Sequence, residues 1–240
     1  NQHDISFFGF HGNATLSNVT VTSGNGSAAN SNSYGIVFSN GSGSAALGTV
    51  SLSNVTVQGH VGKGGLYFGY YSNLSGVSLT NVSLNNLSAP YGSLISESSG
   101  NLLVGTTSLK TLKMWSAGGA DATSATIYTS GGLVLDRTVL ADAYQIADQI
   151  TDAVDITGLG LARFTAGKIY VSTASAAGAF QRAIDASATS DVIYVEDGAA
   201  TILTAVITKT ITFSGNFNIT SSNIPTDSTA TAVLSSFTSR

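Results

Sequence analysis

The hexapeptide Leu16-Ser17-Asn18-Val19-Thr20-Val21 returns along this chain, and the way it returns restricts the fold more than any other feature. It recurs as Leu52-Ser53-Asn54-Val55-Thr56-Val57 and as Leu79-Thr80-Asn81-Val82-Ser83-Leu84, with a degraded copy over Leu109-Lys110-Thr111-Leu112-Lys113-Met114. The intervals, about 36, 27 and 30 residues, fall in the range of solenoids, propellers and arrays, whose single units cannot bury an apolar face alone.

The motif also carries a slip of parity. A strand sends successive side chains to opposite faces, so one uninterrupted register puts all its apolar residues on one side. Val50 and Leu52 share a side before Asn54, yet Val55 and Val57 share a side after it. Val77 and Leu79 against Val82 and Leu84 repeat the slip, and so does Leu109 against Leu112 and Met114. An Asn at a corner reconciles the two halves, because Asn tolerates the left-handed conformation such a corner needs. The chain then bends at the Asn and keeps its apolar residues inside the bend, which describes one coil of a β-helix.

Coils stacked about 4.8 Å apart leave two readings of the recurring residue. Either Asn18, Asn54 and Asn81 form a ladder of side-chain amides along the axis, or each supplies only a turn conformation. Thr111 occupies the fourth place and breaks the amide series. A second apolar segment precedes each motif: Phe7-Phe8-Gly9-Phe10, Gly35-Ile36-Val37-Phe38, Gly65-Leu66-Tyr67-Phe68 and Gly92-Ser93-Leu94-Ile95. Gly/Ser/Asn loops of changing length separate the segments and explain the uneven interval.

Three regions follow. Residues 1–115 hold roughly four coils. Residues 116–179 form a connecting segment, with a strand over Gly131–Leu135, one helix over Ala141–Asp155 and a strand over Lys168–Val171. Residues 180–240 carry a short amphipathic helix and further strands. On the longer helix, Tyr144, Ala147, Ile150, Ala153 and Val154 share a face, and Asp142, Asp148, Asp152 and Asp155 read as its solvated side.

Composition narrows the function. Hydrophobic residues make up 42% of the 240, but only 9% are charged, against roughly 25% in an average soluble domain. Hydroxyl and amide side chains solvate the surface instead, which suits a secreted or surface-exposed repeat protein. A net charge of −4 and a pI near 5.1 provide no basic stripe, so nucleic acid is not an expected partner. Without cysteine there is no disulfide framework or thiolate metal site. The amino terminus lacks the basic and apolar regions of a signal peptide, and the chain reads as a mature piece of something longer. No apolar run reaches membrane-spanning length.

The order Phe180-Gln181-Arg182-Ala183-Ile184-Asp185-Ala186, then Asp191 to Gly198, then Ile207 to Gly215 resembles the opening of a pectin-lyase-like right-handed parallel β-helix. Gly158-Leu159-Gly160-Leu161-Ala162-Arg163-Phe164 with Lys168–Val171 is similar to inter-repeat segments of large bacterial secreted adhesins. The resemblance covers residues 158–219; residues 5–115 share only the coil pattern. It implies an all-β-dominated, right-handed parallel β-helix with a small helix-containing cap. In that superfamily the helix caps the start of the stack, whereas here it follows the coils. Either the chain is one unit of a tandem array cut out of phase, or its last strands dock on the first coil of a neighbouring copy.

Polysaccharide-cleaving members of the superfamily use clusters of Asp with Lys or Arg on one strand face, often with calcium. Across residues 5–109 the charged side chains are Lys63 and Glu97 alone, and glycosidic chemistry generally needs two carboxylates at a defined separation. No catalytic residue, metal or cofactor is expected. His3, His11 and His60 match no ligand spacing, and Gly62-Lys63-Gly64-Gly65 lacks the phosphate-loop pattern. Tyr67, Tyr70 and Tyr71 are candidate glycan contacts, the plainer reading being packing between coils. Of nine Asn-X-Ser/Thr sequons, Asn25 and Asn40 lie in loops that could carry a glycan. An ice-binding face needs a regular row of outward Thr; Thr20, Thr56 and Ser83 begin one, and Lys113 is expected to interrupt it.

The function that follows is a non-catalytic, extracellular structural or adhesive module that assembles head to tail with copies of itself. The alternative is a polysaccharide-binding or polysaccharide-degrading β-helix whose active residues lie elsewhere.

Overall fold

The computed structural model describes residues 3–9, 12–22, 33–39, 48–59, 62–69, 76–87, 92–199, 201–202, 211–215, 218–219 and 232–235. Tyr70, Tyr71, Asn25, Asn40, His11 and His60 lie outside them. The chain is strand-dominated, its sheets are parallel, and the described residues hold two helices. It divides into one unit of residues 1–135 with 159–164 and another of residues 136–158 with 165–240.

In chain order the elements begin with β1 (Ile5–Phe8), β2 (Ala14–Thr22), β3 (Tyr34–Ser39), β4 (Val50–Gln58), β5 (Gly64–Phe68) and β6 (Val77–Leu84). There follow β7 (Gly92–Ser96), β8 (Leu102–Leu103), β9 (Thr106–Leu109), β10 (Leu112–Met114), β11 (Ala120–Asp121) and β12 (Thr126–Ile127). Helix α1 (Leu140–Asp148), β13 (Ile150–Thr151), β14 (Ala162–Arg163), β15 (Lys168–Val171) and helix α2 (Ala179–Ala186) come next. The last strands are β16 (Val192–Val195), β17 (Thr201–Ile202), β18 (Ile211–Gly215), β19 (Asn218–Ile219) and β20 (Ala232–Ser235).

In the first unit the chain visits its sheets in turn. The first sheet runs β1-β3-β5-β7-β10, the second β2-β4-β6-β9-β12, and a third, smaller one β8-β11-β14. Every pairing among these is parallel and nearly in register, so like residues stack. Ile36, Leu66, Leu94 and Leu112 form one column and Leu16, Leu52 and Leu79 another. Phe7, Phe38 and Phe68 form a third, with ring centroids 4.6 and 5.6 Å apart. Past the first strands these residues are at most 2% exposed, and burying each side chain contributes about 1.5–3 kcal/mol. Gly65 leaves no room for a side chain: a Cβ there would collide with Leu87 and sit 2.7 Å from the Ser93 carbonyl oxygen.

The corner takes its shape from backbone geometry. Among the described residues, Asn18, Asn54 and Asn81 are the non-glycine positions with positive φ, at 56°, 52° and 51°. One left-handed residue shifts the parity of the strand. Hence Val50, Leu52, Val55 and Val57 all point inward along β4, while Ser51, Ser53, Asn54, Thr56 and Gln58 are half-buried or exposed. Asn54 Nδ2 donates to Asn18 Oδ1 at 3.0 Å, and Asn81 Nδ2 donates to Asn54 Oδ1 at 3.2 Å.

The fourth corner is not Thr111. Strand β9 pairs with β6, and Thr106 Oγ1 meets the ladder, accepting from Asn81 N at 2.8 Å and donating to Asn81 Oδ1 at 3.4 Å. Thr111 belongs to the approach to β10 in the first sheet, where its hydroxyl accepts from Ser93 N at 2.8 Å. The apparent copy Leu109–Met114 therefore straddles two sheets. Leu109 closes one motif, opposite Leu84, and Leu112 opens the next segment, opposite Leu94.

Two further expectations give way in local detail. Gly131–Leu135 is not a regular strand. Gly132 turns with φ 87° and Val134 makes one antiparallel bridge to Tyr128. Helix α1 stops at Asp148 rather than running to Asp155, because the acidic side chains bond backbone that a helix would need. Asp152 accepts from Val154 N at 2.8 Å and Asp155 from Asp152 N at 3.2 Å. Asp148 accepts from the Ser172 hydroxyl and Asp142 from Asp136 N at 2.9 Å. Asp152 and Asp155 fasten turns beyond the helix, whereas Asp148 is exposed at the end of α1, and burial pushes the Asp155 carboxyl above its ordinary range.

In the second unit β15-β16-β18-β20 form a parallel sheet and β17-β19 a parallel pair. Helix α2 buries Ala179, Phe180, Ala183 and Ile184, with Phe180 stacked on Phe213 at 5.2 Å. Arg182 holds the helix in place by donating to the carbonyls of Val154, Ala177 and Ala176 at 2.7, 2.9 and 3.3 Å.

Candidate functional site

The alternation that packs the inside of the first sheet also selects what it presents outward. If Leu94 and Leu112 point in, then Ile95 and Glu97, Lys113 and Trp115 point out. The register aligns Tyr67, Ile95 and Lys113 in one row, and Trp115 lies one position beyond Met114, beside Glu97. The N–H of Trp115 donates to the Ser96 carbonyl at 2.7 Å, which continues the ladder to this point.

One half of this face is an apolar cluster. Tyr34, Val37 and Ile95 are buried, and Tyr67 packs against them. The Tyr67 ring stacks on Tyr34 with centroids 4.2 Å apart and planes 8° apart, and Tyr34 stacks in turn on His3 at 5.6 Å. His3 Nδ1 accepts from Tyr34 N at 3.2 Å. Lys63 Nζ lies 5.8 Å from the Tyr34 ring centroid. The Tyr67 hydroxyl donates to Glu97 Oε2, so it fixes the carboxylate as well as filling the cluster.

The other half is more open. Lys113 Nζ sits 5.9 Å from the Trp115 ring centroid, within reach of a cation–π attraction. Partial burial draws the Lys113 ammonium below its ordinary pKa, since the charged form loses water. Trp115 keeps 37% of its surface exposed, enough ring for a partner to cover.

Tyr67 thus belongs to the face, but as a ring stacked on Tyr34 and tied to Glu97 rather than as a bare platform. Glu97, Lys113 and Trp115 escape the sequence reading because Leu109–Met114 passes for a fourth ladder motif. The signal that finds them is the alternation Leu112, Met114 inward against Lys113, Trp115 outward, read with the preceding Leu94, Ser96 against Ile95, Glu97.

The outward side of the second sheet differs throughout. Thr20, Thr56, Ser83, Ser108 and Thr126 form one row across five strands, and Ser17, Ser53, Thr80 and Thr106 form another. Lys113 does not interrupt the first row, because it lies in the other sheet. Among the described residues no group of three or more His, Asp or Glu side chains could hold a metal ion. No described helix is long and apolar enough to cross a membrane. Set against protein-family models, curated proteins and solved structures, the chain matches none.

Proposed function

We propose that the chain is a right-handed parallel β-helix module, related in architecture to the pectin-lyase-like superfamily, that serves as a non-catalytic structural or adhesive element outside the cell. The turn-by-turn visit to successive parallel sheets, the amide ladder at the corner and the scarcity of charge along the coils all support this reading. A stack of this kind is stiff because each coil satisfies the backbone of the next.

One observation carries the assembly part. Among the described residues β1 pairs only with β3, and β2 only with β4. Ile5, Phe7, Leu16 and Val19 stay half-buried at that end, while Ile36, Phe38, Leu52 and Val55 in the next strands are at most 1% exposed. Phe8 is 73% exposed. A strand edge with unfinished apolar columns recruits another chain, and a head-to-tail contact that does not close yields a filament. The module is therefore expected to assemble with copies of itself. Negative-stain microscopy and sedimentation of the purified chain test this: filaments with a regular axial repeat support it, and a strictly monomeric chain at high concentration sinks it.

A polysaccharide-directed role is the second reading, favoured by the aromatic and charged side chains gathered on the outer face of the first sheet. Residues for any cleavage would lie outside this chain.

A further inference from the structure

We infer that the outer face of the first sheet around Trp115, Glu97 and Lys113 is a binding site for an uncharged, hydroxyl-rich glycan. The inference rests on the adhesive half of the reading above and is independent of assembly.

Three properties of the face lead there. The first is a half-open indole on a rigid scaffold. Trp115 continues the ladder through its backbone bond to Ser96 at 2.7 Å and keeps 37% of its surface exposed. An indole offers a broad apolar plane with one polar edge, which suits the C–H face of a pyranose ring. The second is a held acceptor. Tyr67 donates to Glu97 Oε2, which leaves Oε1 to accept from sugar hydroxyls in a fixed direction. A bond from a neutral donor to a charged acceptor is among the stronger kinds.

The third is charge balance. Lys113 lies near Trp115 and opposite Ile95, two positions before Glu97, so the face carries one ammonium and one carboxylate with no net charge between them. A polyanionic glycan would have to bring its carboxylates against Glu97, and a cationic peptide its ammonium groups against Lys113. Among the described residues, Lys63 and His3 sit against Tyr34. The outward hydroxyl rows of the second sheet offer no aromatic ring and so lack the stacking partner.

The chain has one tryptophan, so its emission reports on this site alone. Titration of the intact chain with cellohexaose and chitohexaose should give a saturable change in tryptophan fluorescence, with polygalacturonate as the anionic comparator giving none. By calorimetry, Trp115→Ala should abolish binding, and Glu97→Gln should weaken it about tenfold, as expected for loss of a charged hydrogen-bonding partner. Thr56→Ser, on the other sheet, should leave it unchanged. Absence of a saturable response to both neutral probes overturns the proposal, as does binding that survives both Trp115→Ala and Glu97→Gln, or tighter binding of the polyanion. Filaments without glycan binding would sink this inference and leave the assembly reading standing; binding by a chain that stays monomeric would do the reverse.

Discussion

The first and second sheets of the first unit share an interior and differ outside. Inside, both stack like residues in columns at most 4% exposed past the first strands. Outside, the second sheet carries hydroxyls and amides in straight rows, whereas the first gathers Tyr34, Tyr67, Glu97, Lys113 and Trp115. The interior is repetitive because every strand meets the same packing demand from the parallel strand beside it. The outer faces meet no such demand, so their divergence is free to serve recognition. A monotonous polar face is what solvent alone requires; an aromatic and charged one is what solvent does not require.

That contrast can be broken or sharpened by substitution. The largest effect belongs to the shared interior. Phe38→Ala, in the middle of the phenylalanine column, should lower stability by about 3–5 kcal/mol in urea denaturation. A loss of under about 1 kcal/mol would mean that the column is not a packed core.

Next comes the corner that joins the two limbs of the second-sheet strands. Asn54→Ala removes an amide bonded to both neighbours and places alanine at φ 52°. Two lost hydrogen bonds at about 1 kcal/mol each and about 1 kcal/mol for the left-handed backbone sum to roughly 3 kcal/mol. Asn54→Gly should recover the backbone part only. Equal melting of the two variants would show that the ladder carries the whole effect and the backbone conformation none.

The outer faces should then separate. Tyr67→Phe strips Glu97 of its donor and should cost about 1 kcal/mol, while Thr56→Ser on the second sheet should stay within about 0.5 kcal/mol. Equal effects would erase the distinction between the faces.

The smallest effect is one of pH. Burial lowers the Lys113 pKa in the folded state, so between that lowered value and the unfolded value the unfolded chain binds more protons. Stability then rises with pH across this alkaline window. Lys113→Met should flatten that part of the stability profile and raise stability below it. A rise of the same slope in the variant would assign the effect to another group.

The repeat was legible from residues alone because it depends on local grammar: alternation, one parity slip and an amide at the slip. Asn18, Asn54 and Asn81 announce their place, since few other side chains accept φ near 50°. Helix α2 was legible for the same reason, with Phe180, Ala183 and Ile184 on one face. Helix α1 was overextended because Asp152 and Asp155 read as a polar stripe, yet they bond nearby backbone instead.

The frame of Leu109–Met114 could not be settled in one dimension. Strands of both sheets use the same apolar spacing, so Thr111 passes for a corner until β9 finds β6 and β10 finds β7, and the left-handed residue at β9 is Gly105, with φ 61°. That choice moves Lys113 from one sheet to the other and brings Glu97, Tyr67 and Trp115 onto one surface from segments scattered along the chain. Local propensity and alternation are properties of neighbouring residues, and a sequence states them directly. Which strand lies beside which is set by packing and hydrogen bonding between segments tens of residues apart, and the outer face comes into being only when those segments meet.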